Sequence, residues 1–308
     1  MRIEQKSPSR QTRMLCSLLG YSRQAYYKII KTYETSHIEA AVLLTEVSNI
    51  RKDQKRLGGR KLFHKLQAFI DDHELHMGRD AFFDLLRDNG MLVHKRKRKH
   101  PKTTFSYHLF RKYPNRIIEF VPTGPNQLWV SDITYIRLVN KFAYLSLITD
   151  AYSRKIVGYY LCRTLEADGC VAALKMAIKG NPLRKQESEA MLHHSDRGIQ
   201  YCSNEYVKLL NKHHIGISMT QSGDPLENAL AERVNGILKD ELLEDRYGLY
   251  ADAQLQVSKA INLYNNERPH SSIDMLFPAE AHLRCGPLDK RWKNYHTFKK
   301  AKEVVMAE

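Results

Sequence analysis

Apolar positions along the chain change their period near residue 127. Before that point they recur at helical spacing: Leu43, Leu44 and Val47, then Leu62, Phe63 and Leu66, then Phe82, Phe83, Leu85 and Leu86. Steps of three and four residues are those of amphipathic helices, and Gly90 suits the end of the last one. Ahead of this module, Gln11–Lys31 reads as two short helices around Gly20. Leu15, Leu18 and Leu19 make an apolar face, Ser22 offers a cap, and Arg23, Tyr26, Tyr27 and Lys28 line the second helix. Helix, glycine turn and basic-aromatic helix is a helix-turn-helix layout.

After residue 127 strands and helices alternate. Gln127–Leu138 is apolar on both faces and rich in β-branched and aromatic residues, which predicts a central strand. Phe142–Thr149 and Lys155–Cys162 follow as two more strands joined by a turn at Asp150–Arg154, an antiparallel start. The pattern then predicts a helix at Glu166–Lys179, a strand at Met191–His194, a helix at Asn204–His213, a strand at Ile215–Thr220 and a long helix at Leu230–Leu243. Such an order is that of the ribonuclease H-like fold, a mixed-sheet α/β domain preceded here by small all-α modules. Pro269 ends a last helix, in which Tyr264 and Arg268 are expected to pack and to meet DNA.

Charge sharpens this division. The 308 residues carry 49 Lys plus Arg and 34 Asp plus Glu, a formal net charge of +15. Residues 1–112 hold 24 basic and 11 acidic side chains, a net of +13. Almost all the excess therefore sits in the first third, as in a protein that meets a polyanion with its N-terminal region. Arg23 and Lys28 on the second short helix, Arg60 and Lys61 at a helix start, and the tract Lys95, Arg96, Lys97, Arg98 are the candidate phosphate contacts. Residues 95–125 read as a charged linker. Five scattered cysteines without C-x-x-C spacing indicate neither a disulfide framework nor a zinc site, and no apolar run is long enough to span a membrane.

Three acids stand out by position. Asp132 lies mid-strand, where a buried carboxylate is costly and a cation partner would explain it. Asp196 follows a short strand in His193-His194-Ser195-Asp196-Arg197-Gly198, where Gly198 is expected to permit a sharp exit at the strand's C-terminal end. Glu232 sits on the long helix, whose apolar stripe is Leu230, Val234, Ile237, Leu238 and Leu242; at ~100° per residue it points about 160° away from that stripe. Lys239, two turns on, shares its face, and Asn228 is placed to cap the helix. Asp150 reads as a turn residue, and His193, His194, His213 and His214 as core or surface groups.

Trp129–Tyr135 (W-x-x-D-I-T-Y), His194–Tyr201 (H-S-D-x-G-x-Q-Y), Gly223–Glu232 (G-x-P-x-E-N-A-x-x-E), Lys239 and Tyr264–His270 (Y-N-x-x-R-P-H) together resemble the second-reading-frame insertion-sequence transposases. These belong to the superfamily of DDE transposases and retroviral integrase catalytic cores. The resemblance covers about residues 126–282, and the chain lacks the His-His-Cys-Cys module of the viral branch. It implies a ribonuclease H-like DDE polynucleotidyl transferase with Asp132, Asp196 and Glu232 as catalytic metal ligands. Two Mg²⁺ ions per active site are implied, with Mn²⁺ as a substitute. Lys239, Arg197, Gln200 and Arg268 would join the DNA contacts. The implied partners are double-stranded DNA, as element ends and target, and further copies of the chain in a dimer or tetramer. An upstream-frame protein, fused or partnered, is left open. The implied location is the bacterial cytoplasm, on DNA.

The expected organisation is a helix-turn-helix-like module at 1–35, a second helical module at 36–94, the linker at 95–125, the catalytic domain at 126–285 and a tail at 286–308. The implied function is Mg²⁺-dependent DNA cleavage and strand transfer at insertion-sequence ends. A nuclease without strand transfer, or a DNA-binding regulator derived from a transposase, are the alternatives.

Overall fold

The computed structural model describes residues 10–94, 108–181, 190–221 and 225–289. The chain divides into two compact units, one formed by residues up to Asp53 with Lys65–Leu92, the other by Gln54–His64 with the chain from Val93 on.

In the first unit, α1 (Arg10–Leu18) and α2 (Arg23–Asp53) flank the expected turn. Gly20 adopts φ +72°, and the amide of Tyr21 reaches back to the carbonyl of Cys16 at 2.8 Å. Gly90 closes α4 (Arg79–Asp88) in the same left-handed way at φ +64°, a conformation glycine adopts without the Cβ penalty. Ser22 Oγ accepts the amide of Ala25 at 3.0 Å, so the cap forms as its sequence suggests. Two differences appear. The expected break near residue 35 is absent: α2 runs unbroken for 31 residues, because neither Gly nor Pro interrupts Arg23–Asp53. Leu15, Leu18 and Leu19 remain 56%, 79% and 67% exposed, while Cys16 of α1 is buried. Leu43 and Val47 of α2, Leu66 and Ile70 of α3 (Gly59–Asp72), and Phe82 and Leu86 of α4 are buried.

The second unit is built on a five-stranded mixed sheet. Its strands are β1 (Leu128–Arg137), β2 (Phe142–Asp150), β3 (Ile156–Cys162), β4 (Leu192–Ser195) and β5 (Gly216–Met219), in the order β3-β2-β1-β4-β5. β1, β2 and β3 are antiparallel neighbours; β4 runs parallel to β1, and β5 parallel to β4. This is the ribonuclease H-like arrangement. α5 (Ala167–Gly180), α6 (Ile199–Cys202) and α7 (Asn204–Lys212) cover one face, with Trp129, Ile148, Cys170, Leu174 and Tyr206 in its core. On the other face, α8 (Ala229–Ile237) and α9 (Tyr250–Asn266) pack over Ile136, Leu145 and Leu147. Alternation along the strands divides the two cores.

The long helix is α-helical only to Ile237 and continues as a π-helical turn at Leu238–Leu242. The amide of Leu243 bonds to the carbonyl of Leu238 at 2.8 Å, the i to i+5 pattern. The predicted stripe is nevertheless the packed one: Val234, Ile237 and Leu238 are buried, with Leu230 and Leu242 partly so. The second half of the expected linker also packs on this unit. Tyr113 contacts the Trp129 core, the carbonyl of Pro114 accepts the amide of Met219 at 3.3 Å, and the amide of Arg116 donates to Ser218 Oγ at 2.9 Å. Chain that lies against the edge strand β5 acts as part of the domain, whatever its charge.

Candidate active site

Strand register brings the first two acids together. Val130 of β1 pairs with His194 of parallel β4, so two residues further on the mid-strand Asp132 lies next to Asp196, which follows the end of β4. Adjacent strands lie about 4.8 Å apart. The Asp132 carboxylate accepts hydrogen bonds from the amide of Ile133 at 2.9 Å and from Asn235 Nδ2 of α8 at 2.7 Å. Its pKa is pushed up to about 7, by burial first, then by the charge of Asp196 and, more weakly, of Glu232. The rise records that burial and the neighbouring acids disfavour the charged form of Asp132.

Asp196 Oδ1 accepts the amide of Gly198 at 3.0 Å. Gly198 has an ordinary φ of −62°; what its missing side chain leaves is room, because a Cβ would lie 2.9 Å from Asp196 Oδ1 and displace that carboxylate. Glu232, in the first turn of α8, is exposed. That helix starts where it does because Asn228 Nδ2 donates to the carbonyl of Ser131 at 3.0 Å and His194 Nε2 meets the carbonyl of Glu227 at 3.1 Å. Asn228 thus ties α8 to β1 and does not cap it with its side chain. Among the described residues, no three His, Cys, Asp or Glu side chains are drawn close enough to enclose a metal ion.

Beneath the acids lies a neutral layer. His193 Nε2 meets Ser131 Oγ at 2.7 Å and Tyr206 Oη at 2.8 Å, and burial drops its pKa to about 3. His194 Nδ1 meets Ser218 Oγ at 2.8 Å, and burial lowers it to about 4. Both rings are buried packing groups. Asp150, at the end of β2, is fully buried and accepts the amides of Asn126 and Ser153 and the Ser153 hydroxyl, each at 2.7 Å. It closes the β2–β3 turn.

The other predicted residues separate. Arg197 follows Asp196 and is half-buried, and Lys239 lies in the π-helical turn, half-buried. Arg23, Lys28 and Arg60 are exposed; Lys95, Arg96, Lys97 and Arg98 lie outside the described residues. Three candidates are turned inward. Gln200 is 8% exposed and donates from Nε2 to the carbonyl of Leu165 at 2.8 Å. Arg268, 1% exposed, grips Glu241 through Nε at 2.7 Å and Nη2 at 2.8 Å. Lys61 Nζ is 2.9 Å from the same carboxylate. A DNA phosphate cannot reach Arg268 or Gln200 in this packing, so their expected DNA contacts are withdrawn. Lys61 is committed to an internal ion pair. Asn235 was missed by the sequence reading; its signal is its place one turn after Glu232, beside the apolar stripe.

The integrase core domain family matches residues 122–225 and, in a second form of the same description, residues 213–278. The "Insertion element IS600 uncharacterized 31 kDa protein" of Shigella sonnei is 33% identical over 271 residues, covering 86% of this chain and 96% of that one. The putative transposase of IS986/IS6110 from Mycobacterium tuberculosis is 34% identical over 167 residues, with 52% of this chain and 59% of its own length covered. A solved catalytic core of HTLV-2 integrase, in complex with magnesium, aligns with a TM-score of 0.39 at 20% identity, covering 52% of this chain and 97% of that one. The family match and the insertion-element relatives define an integrase-core polynucleotidyl transferase. The chain belongs to the insertion-sequence transposases of the DDE and integrase superfamily, and its activity lies in DNA transposition.

Proposed function

We propose that this transposase cleaves DNA at insertion-sequence ends and joins the resulting strand to a target, using Asp132, Asp196 and Glu232 with Mg²⁺. The observation that carries the reading is the β1–β4 register, which sets Asp132 and Asp196 near each other, close enough that Asp196 raises the pKa of the buried Asp132 carboxyl. Hard oxygen donors of this kind fit a hard divalent cation. Asp132 and Asp196 would hold it from the sheet and Glu232 from α8. When bound, Mg²⁺ supplies Lewis acidity at phosphorus and lowers the pKa of the attacking hydroxyl. The chain's own part is to orient: Asn235 and the Ile133 amide fix the Asp132 carboxylate, Gly198 lets Asp196 fold back onto its own loop, and Lys239 lies on the continuation of the Glu232 helix for a strand phosphate.

Affinity for the element ends is assigned to the basic N-terminal third, through exposed Arg23, Lys28 and Arg60 and the tract at 95–98. The catalytic domain is placed from about residue 113, where the chain begins to pack on the sheet, to about 285. The working form is a homo-oligomer that holds two ends. A labelled element end mixed with a supercoiled plasmid in Mg²⁺ tests the reading: wild type should give joined product, and Asp132→Asn, Asp196→Asn or Glu232→Gln should give none while still binding DNA. Cleavage without joined product would make the protein a nuclease, and near-normal joining by any one variant would remove that residue from the set. Calorimetric titration with Mg²⁺ counts the ions, two being expected.

A further inference from the structure

An active site made of carboxylates repels the phosphates it works on, so cations must carry the strand up to it. On the Glu232 side, α8 and its π-helical continuation supply Arg233 and Lys239. The Asp196 side draws its cations from another part of the chain. His108 Nε2 lies 2.8 Å from the carbonyl of Arg197, the residue after Asp196. Five residues beyond His108 the chain is held again, by Tyr113 in the core and by Pro114 against β5. A short stretch, His108-Leu109-Phe110-Arg111-Lys112, is thus anchored at both ends along the rim beside Asp196.

Lys112 is exposed, and among the described residues no carboxylate forms an ion pair with it. Arg111 is occupied otherwise, its guanidinium lying 5.1 Å from the centre of the Tyr113 ring. The buried Cys202 at the end of α6 lies within electrostatic reach of Asp196, Lys112 and Arg197 together, so both cations are neighbours of the loop that carries the second acid. Arg197 Nε and His108 Nδ1 are buried without hydrogen-bond partners. Buried polar atoms are rarely left so. Pre-anchored backbone, an exposed ammonium and the unfilled Arg197 Nε donor next to a catalytic carboxylate have the chemistry of a phosphodiester cradle.

Resting on the reading above, we propose that Lys112 is a DNA-positioning residue that binds one backbone phosphate of the strand entering beside Asp196, with His108 holding the Lys112 segment in place through the Arg197 carbonyl. The segment read as linker then forms one wall of the site. Direct contact with one phosphate predicts a position-specific effect, whereas a general electrostatic role predicts a uniform one.

Full-length protein and element-end DNA carrying a neutral methylphosphonate at one position at a time provide the test. Wild type must first show strand transfer on unmodified DNA; its failure there would count against the proposed function itself. Given that activity, one position near the scissile bond should cost wild type about tenfold, the scale of a charge-assisted hydrogen bond. The same position should cost Lys112→Ala nothing further, and Lys112→Arg should restore the penalty. His108→Ala should weaken the penalty without abolishing it, and Lys175→Ala, which removes an equal charge from α5, should leave it intact. Parallel methylphosphonate profiles for wild type and Lys112→Ala would overturn the proposal. Should Lys112→Ala melt below the assay temperature, Lys112→Cys with thiol-bearing DNA serves instead. Crosslinking confined to one phosphate supports the contact, and equal or absent crosslinking along the strand refutes it.

Discussion

Asn235 donates a single 2.7 Å hydrogen bond to Asp132, and its own Oδ1 is buried without a partner. An amide in this place fixes the carboxylate's orientation and opposes the rise in its pKa. Asn235→Ala should therefore lower apparent Mg²⁺ affinity about 10- to 100-fold, the usual cost of losing a group that orients a metal ligand. Strand-transfer rate against Mg²⁺ concentration reads this out, and saturating metal should recover most of the rate. Asn235→Asp should be worse, because it adds a carboxylate to the crowded end of the sheet.

Lys61 makes a different point at the same scale. Burial and the neighbouring Arg268 pull its pKa down to about 8, against the opposing pull of Glu241. In the unfolded chain a lysine titrates near ~10.4. Between these values the unfolded state binds more protons than the native one, so this group makes the protein more stable as pH rises from about 8 to about 10. Urea melts across that range should show wild type gaining stability relative to Lys61→Met. An equal slope in both would mean that the ammonium is solvated. Asp150 is a second case: with three hydrogen bonds and full burial, Asp150→Asn should lower stability, as expected of a turn-closing residue.

At the scale of elements, the close packing of α5 on the sheet depends on Gly158 of β3. A Cβ there would lie 2.3 Å from the carbonyl oxygen of Ala173 and 2.8 Å from the Cβ of Ala177. Backbone cannot yield as a side-chain tip can, so Gly158→Ala should cost about 3 kcal/mol, the upper part of the overpacking range. Equilibrium urea unfolding measures it, and a loss under about 0.5 kcal/mol would show that α5 slides freely. The boundary between α8 and its π-helical turn has an opposite character. Leucines at 230, 238 and 242 specify an apolar stripe, yet a stripe read at a constant ~100° per residue cannot register an extra residue inserted into one turn. The azimuth of Lys239 relative to Glu232 is set by that turn.

For the whole molecule, net charge of +13 in residues 1–112 against +2 in the rest is the ground for the proposal that affinity lies in one region and chemistry in another. Replacing exposed Arg23 and Lys28 together by Ala in the full chain should weaken binding to element ends and reduce the slope of log K against log salt by about 1.8, or about 0.9 per phosphate contact. Asp132→Asn should leave that slope unchanged; filter-binding titrations over a range of salt compare them. If the working oligomer shares DNA between copies, mixing Glu232→Gln with the Arg23→Ala, Lys28→Ala protein should restore some strand transfer. Mixed oligomers that stay inactive at every ratio would mean that each copy cuts the DNA it binds.

Much of this protein was determined by local sequence. The period-two and period-3.6 patterns, the Gly20 and Gly90 turns, the succession of the five strands along the chain and the places of Asp132 on a strand, Asp196 just after one and Glu232 on a helix are properties of short segments, and short-range sterics and hydrophobic alternation suffice to specify them. Tertiary structure alone decided which polar residues face water. Arg268, Lys61 and Gln200 carry the same side chains as DNA-contacting residues elsewhere, but Glu241 and the carbonyl of Leu165, remote in sequence, turn them inward. The same holds for Asn235 and His108, whose partners lie 103 and 89 residues away. Burial and pairing depend on which distant backbone a side chain meets after folding, and no local pattern encodes that.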